Sequence, residues 1–196
     1  FINSMIERLS IPLVISGNIS SAEDAKLFFE CGADRIILNR CLWSAPEEVK
    51  KISDIYGKQA VIASIDFLRN KSNELISFDW VKKSNRDTLL PNNFSSIIPN
   101  IGEILIQDVE QDGRVLGANL DSIKEVCKLL PKSLPIHIGS CGLVSWEQYS
   151  QLLDLSSIDA VSVCNVHHMS IKAIKALRKN CFTKNIKIRD LENINI

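Results

Sequence analysis

The feature that most constrains this chain is a repeated alternation of short apolar, β-branched runs with longer stretches whose apolar residues recur at helical spacing. Strands separated by helices pair in parallel, and runs that are apolar on both faces belong to a sheet covered on both sides. Six such units are read. Strands are expected at 12–16, 35–39, 60–66, 103–109, 135–139 and 159–164, with helices at about 22–31, 46–56, 92–99, 120–130, 145–153 and 171–180. Ser20 or Ser21 ahead of Glu23 marks the start of the first helix, and Gly32 marks its left-handed close. Between Asp66 and Pro91 lies a polar insertion holding Ile76-Ser77-Phe78-Asp79-Trp80, which suits a short hairpin or lid after the third strand. An internal echo accompanies this order. Ile11-Pro12-Leu13, Ser16-Gly17 and Gly32-Ala33-Asp34 return as Leu134-Pro135-Ile136, Gly139-Ser140 and Ser157-Ile158-Asp159, about 124 residues later, as two related halves of one fold leave behind.

Length and charge bound the function classes. The 196 residues, 45% apolar and 23% charged, fit a single domain spanning 1–196. Twenty-three basic residues balance 23 acidic ones without a basic run, which argues against a nucleic-acid partner. The longest apolar runs are strand-sized, far short of the roughly 18 residues a membrane span needs. Six cysteines, at 31, 41, 127, 141, 164 and 181, form no C-x-x-C pair, and they read as reduced packing residues of a cytoplasmic protein. The chain opens at Phe1 without a signal-peptide pattern, as expected for the C-terminal part of a longer protein. No metal or cofactor is expected. His167-His168 are adjacent and would point to opposite sides of an extended segment, and His137 reads as a hydrogen-bonded interior residue.

Three blocks carry a resemblance: Gly32-Ala33-Asp34-Arg35-Ile36-Ile37-Leu38-Asn39, Gly57-Lys58-Gln59-Ala60-Val61-Ile62-Ala63-Ser64-Ile65-Asp66, and Gly102-Glu103-Ile104-Leu105-Ile106-Gln107-Asp108-Val109-Glu110-Gln111-Asp112-Gly113. In this order they resemble the cyclase subunit family of imidazole glycerol phosphate synthase. The resemblance implies an α/β fold, a (βα)8 TIM barrel of which strands three to eight are present. It further implies a lyase that uses ammonia from a glutaminase partner to cleave a doubly phosphorylated formimino carboxamide ribonucleotide and close its imidazole ring. The products are imidazole glycerol phosphate and aminoimidazole carboxamide ribonucleotide, within histidine biosynthesis.

Residue by residue, the resemblance makes Asp66 one of two catalytic aspartates, the other belonging to the family's first strand. A carboxylate at the catalytic rim among apolar walls is suited to acid/base work, because burial raises its pKa. One phosphate site is implied at Gly17, Asn18, Asn39 and Arg40. The other is implied at Asp112, Gly113, Ser140, Cys141, Gly142, Cys164 and Asn165, with bare backbone most needed at Gly113 and Gly142. At the opposite face Arg35 and Glu103 match an ammonia gate, and Asp34 and Gln59 match the glutaminase interface. Several loops depart from the family pattern. Ser16-Gly17-Asn18, Ser140-Cys141-Gly142 and Cys164-Asn165 are bulkier than the family's turns, and Gln107-Asp108 brings a carboxylate near a phosphate site unless Arg114 or Arg40 offsets it. Two other readings therefore stay open at this point: a divergent paralogue serving ammonia-dependent amidation of a surface sugar, and a catalytically silent barrel kept as the glutaminase's partner.

Overall fold

A computed structural model describes residues 11–114, 116–139, 142, 145–162, 179, 181 and 183. In chain order the elements are β1 (Val14–Ser16), α1 (Ala22–Glu30), β2 (Arg35–Leu38), α2 (Arg40–Ser44), α3 (Pro46–Tyr56), β3 (Val61–Arg69), β4 (Leu75–Asp79), β5 (Ser84–Asn85), α4 (Phe94–Ile97), β6 (Glu103–Asp108), α5 (Leu120–Leu129), β7 (Ile136–Ile138), α6 (Trp146–Leu153) and β8 (Ala160–Val161). Six strands lie side by side in the order β1-β2-β3-β6-β7-β8, every pairing parallel, while β4 and β5 form an antiparallel hairpin on β3. This curled run of βα units is a partial TIM barrel.

The apolar runs explain the layering. β3 is buried without interruption from Val61 to Phe67, as befits a strand covered on both faces. Ile36, Leu38, Ile104, Ile106 and Ile138 join one core with Val49 and Ile52 of α3 and with Ile123 and Val126 of α5. Each such side chain contributes about 1.5–3 kcal/mol by leaving water. α3 keeps its expected bounds because Pro46 opens its first turn, Glu47 and Glu48 favour the positive end of its dipole, and Gly57 follows its last residue. Ser21 caps α1 by accepting from the Asp24 N–H, and Asp24 in turn accepts from the Ser20 backbone and hydroxyl. Cys31, Cys41, Cys127 and Cys181 are free thiols, and burial pushes Cys41 up to about 11 as its Sγ donates to the Ile19 carbonyl.

The elements differ from the sequence expectation at identifiable places. The helix expected at 92–99 is α-helical only over Phe94–Ile97 and then tightens into a 3₁₀ turn at Ile98–Asn100. Pro99 lacks an N–H and cannot continue the α ladder. The strand expected to stop at Asp66 runs on to Arg69, because its last residues pair with β4 as Phe67–Ser77, Leu68–Ile76 and Arg69–Leu75. The short helix α2 was not anticipated; it buries Cys41 and Leu42 within five residues, too few to display a period. The expected helix at 171–180 and the His167-His168 pair lie outside the described residues, apart from Lys179.

The internal echo has a physical content. Asp34 Oδ2 accepts from the Leu13 N–H at 2.7 Å while the Asp34 N–H donates to the Leu13 carbonyl. Asp159 repeats the pattern on Ile136, with both bonds at 2.9 Å. In each pair an aspartate just ahead of one strand closes a ring with the residue at, or one before, the start of the neighbouring strand. Asp34→Ala is expected to lower unfolding free energy in urea by about 1 kcal/mol, whereas Asp34→Asn, whose amide oxygen still accepts, loses about half of that or less. Equal losses in the two variants would deny the latch.

Candidate active site

Parallel barrel strands point their C-terminal ends at one face, and a cavity of about 530 Å³ opens there. Ser16 at the end of β1, Gly17 and Asn18 after it, Asn39 and Arg40 after β2, Ser64 and Asp66 of β3, and Leu105 and Gln107 of β6 line it, with Asp79, Trp80, Val81 and Arg86 arching in from the hairpin. Five residues named from sequence, Gly17, Asn18, Asn39, Arg40 and Asp66, thus meet in one space.

Asp66 is 6% exposed. Ser64, two residues earlier and therefore on the same face of the strand, donates its hydroxyl to Asp66 Oδ1. The indole N–H of Trp80 donates to Oδ2 at 2.5 Å. Burial pushes the Asp66 carboxyl above its ordinary value, and the nearby Asp112 adds to the rise, while the two donors and Arg86 oppose it. A carboxyl that is easier to protonate than usual, yet held by donors, is suited to exchanging a proton with a bound ligand. Asn39 braces the same strand by donating its side-chain amide to the Ser64 carbonyl at 3.1 Å. Arg40 Nη1 donates to Asn18 Oδ1 at 3.4 Å, which leaves an exposed guanidinium at the cavity's edge with donors to spare for an anion.

Across β6, Gln107 faces the cavity and its side-chain amide donates to Asp112 Oδ2 at 2.8 Å. Asp108 does not line this cavity; it sits beside the Asp112-Gly113 turn. The pleat sends Gln107 inward and Asp108 outward, where it is buried and accepts from the Glu110 and Gln111 N–H groups. Its carboxyl is raised by burial, and the cation nearest in effect is Arg69, neither Arg114 nor Arg40. Gly113 has φ +74°. Gly142 has φ +69°, and a Cβ there would come within 2.2 Å of the Gln111 carbonyl oxygen. Its own carbonyl accepts from the Gly117 N–H at 3.0 Å, so the loops after β6 and β7 are stitched together where a side chain has no room. Ser140, Cys141, Cys164 and Asn165 lie outside the described residues.

At the opposite end of the strands Arg35 reaches across the foot of β3 to form an ion pair with Glu103. His137 Nδ1 lies 3.2 Å from the other carboxylate oxygen of Glu103, off the line of a hydrogen bond. Gln59 sits on the turn before β3 and donates to the Tyr56 carbonyl, and Asp34 is the latch described above.

The family model described as histidine biosynthesis protein matches residues 1–172. The chain belongs to that family. Its relatives within the histidine biosynthesis proteins include imidazole glycerol phosphate synthase subunit HisF of Buchnera aphidicola subsp. Acyrthosiphon pisum, 28% identical over 208 residues that cover 97% of this chain and 75% of the relative. The HisF subunit of Saccharolobus solfataricus is 27% identical over 184 residues, covering 92% and 71%. That of Campylobacter lari is 25% identical over 194 residues, covering 96% and 74%.

Sequence reasoning missed Ser64, Asp79, Trp80 and Arg86. Ser64 was legible, since period two puts it beside Asp66. The other three come from the insertion, and their approach to Asp66 depends on how the hairpin folds back.

Proposed function

We propose that this chain is the cyclase subunit of an imidazole glycerol phosphate synthase, a lyase that receives ammonia from a glutaminase and acts on the doubly phosphorylated formimino carboxamide ribonucleotide. The observation that carries the reading is Asp66. It is a buried carboxyl with raised proton affinity, facing a cavity of about 530 Å³ at the C-terminal ends of parallel strands. Its position in the Gly57 to Asp66 block matches a catalytic aspartate of the family. The relatives that bear the name of this synthase subunit support the same assignment.

In this reading Asp66 exchanges a proton with the ligand as ammonia adds and the ring closes. Arg40 and Asn18, with the Gly17 turn, grip one phosphate. The other phosphate is held by main-chain N–H groups of the stitched loops at Gly113 and Gly142, joined by Ser140, Cys141, Cys164 and Asn165, and Asp112 faces the ligand between the two ends. Ammonia enters at the opposite face through the Arg35–Glu103 gate, and Asp34 and Gln59 touch the glutaminase. Free buried thiols suit a cytoplasmic location.

The complete enzyme, given the ribonucleotide and free ammonium, is expected to release both products; no ammonium-dependent turnover would overturn the assignment. Glu103→Ala in the same assay tests the gate. We expect the glutamine-driven rate to fall by about tenfold while the ammonium-driven rate holds, because the coupling between the two subunits is what the ion pair serves. Equal loss with either nitrogen source would remove Glu103 from ammonia delivery.

A further inference from the structure

We infer that Trp80 is a positioning residue for Asp66: the indole N–H carried by the β4–β5 turn fixes one carboxylate oxygen while the Ser64 hydroxyl fixes the other. The inference deepens the acid/base role proposed for Asp66 and rests on it.

A carboxylate on a strand facing a cavity of this size is otherwise free to turn about its side-chain torsions, and proton transfer needs it aimed. Ser64 alone restrains one oxygen. The second restraint comes from fourteen residues further along the chain, at 2.5 Å. The indole suits the task chemically. It donates only and has no acceptor lone pair, so it can orient the carboxylate without competing for the proton being transferred. Its placement is built. β4 is hydrogen-bonded to β3, the Ser77 hydroxyl donates to the Asp66 carbonyl itself at 3.0 Å, and Phe78 meets the Trp80 ring edge-on at 4.8 Å. The indole is nevertheless 53% exposed, an unfavourable setting for so large an apolar group. Packing therefore does not account for the tryptophan, and the donor does. The charged groups that face Asp66 from the surrounding elements are Asp79 on β4, Arg86 after β5, Asp112 after β6 and Arg40 on α2.

Two substitutions separate the donor from the ring. Trp80→Phe keeps an aromatic ring against Phe78 and removes the N–H. Trp80→Gln removes the ring and puts an amide N–H the same number of bonds from Cβ. The Asp66 proton is followed directly by carboxyl ¹³C resonance against pH in the complete enzyme, alongside the pH profile of ammonium-driven kcat. Loss of a donor to the charged form raises the carboxyl's proton affinity. We therefore expect Trp80→Phe to move the Asp66 titration, and the limb of the profile that follows it, upward by about one pH unit, and Trp80→Gln to restore both. A titration unmoved in Trp80→Phe overturns the inference, as does a Trp80→Gln shift equal to or larger than that of Trp80→Phe, which would assign the effect to the ring. Asp66→Asn serves as the control: if it turns over normally the catalytic reading of Asp66 fails, whereas the resonance experiment still decides whether Trp80 holds the carboxylate.

Discussion

Asp66→Asn is expected to lower ammonium-driven kcat by about 10²- to 10⁴-fold, the range a positioned acid/base group supplies, with KM changed only a few fold. The amide is nearly isosteric and satisfies its surroundings: its oxygen accepts from Trp80, and its NH₂ donates to the Ser64 hydroxyl, which rotates to receive it. The fold should therefore survive, and it should gain. Because burial raises the Asp66 carboxyl above its unfolded value of 3.8, the native state binds this proton more tightly than the unfolded chain does. Folding then carries a cost for ionising Asp66 that is absent below about pH 4, grows as pH rises through the folded pKa and is complete above it. The asparagine lacks this cost. Urea denaturation should find the variant more stable than the parent at pH 7 and the difference shrinking as pH falls toward 4. A variant that is inactive and less stable at pH 7 would mean that the amide disrupts the pocket, and a fully active variant would remove Asp66 from the chemistry.

Where packing decides, residues announce themselves. The runs holding Ile36 and Leu38, Val61 to Ile65, and Ile104 and Ile106 are apolar because both faces of their strands are covered, and Pro46 and Gly57 bracket a helix by backbone chemistry alone. The resemblance then collected Gly17, Asn18, Asn39, Arg40 and Asp66, which do line one cavity. Two features were legible and were read incompletely. Period two on β6 assigns Glu103, Leu105 and Gln107 to one face and Ile104, Ile106 and Asp108 to the other, so Gln107 and not Asp108 lines the cavity. The same period assigns Ser64 to Asp66.

What sequence does not convey is the return of the hairpin. Nothing local in Trp80 or Arg86 says that they approach a carboxylate 14 and 20 residues earlier. Their placement follows from the register in which β4 folds back on the last residues of β3. An apolar core leaves a periodic trace along the chain, whereas a polar contact between two segments leaves none.

Arg86 supports that hairpin most heavily, and Arg86→Met should show it. The guanidinium pairs with Asp79 Oδ2 at 3.2 Å, both side chains largely buried, and its Cζ stands 4.3 Å from the centre of the Trp43 ring on α2. The Arg86 N–H donates to the Ser77 carbonyl, so backbone and side chain anchor the same corner. Removing one partner of a buried pair leaves the other charge uncompensated. Asp79 keeps its bonds from the Val81 and Lys82 N–H groups, which offsets part of the loss. We expect Arg86→Met to cost about 2–4 kcal/mol of unfolding free energy. Arg86→Lys should recover only a minor share, since an ammonium neither stacks flat on the indole nor matches the carboxylate with a fork. The loss should be smaller by about 1 kcal/mol or more when Asp79→Asn is already present, a coupling that a double-mutant cycle reads directly. The consequence reaches the cavity, because Arg86 is the cation that opposes the rise of the Asp66 carboxyl. In Arg86→Met the Asp66 titration should therefore move up, in the same direction as in Trp80→Phe but with a larger loss of stability, since the Trp80→Phe loss is confined to about 1.4 kcal/mol per pH unit of the Asp66 shift. Strict additivity of the Arg86 and Asp79 substitutions, with the Asp66 titration unmoved, would show that the hairpin is held by its backbone ladder alone.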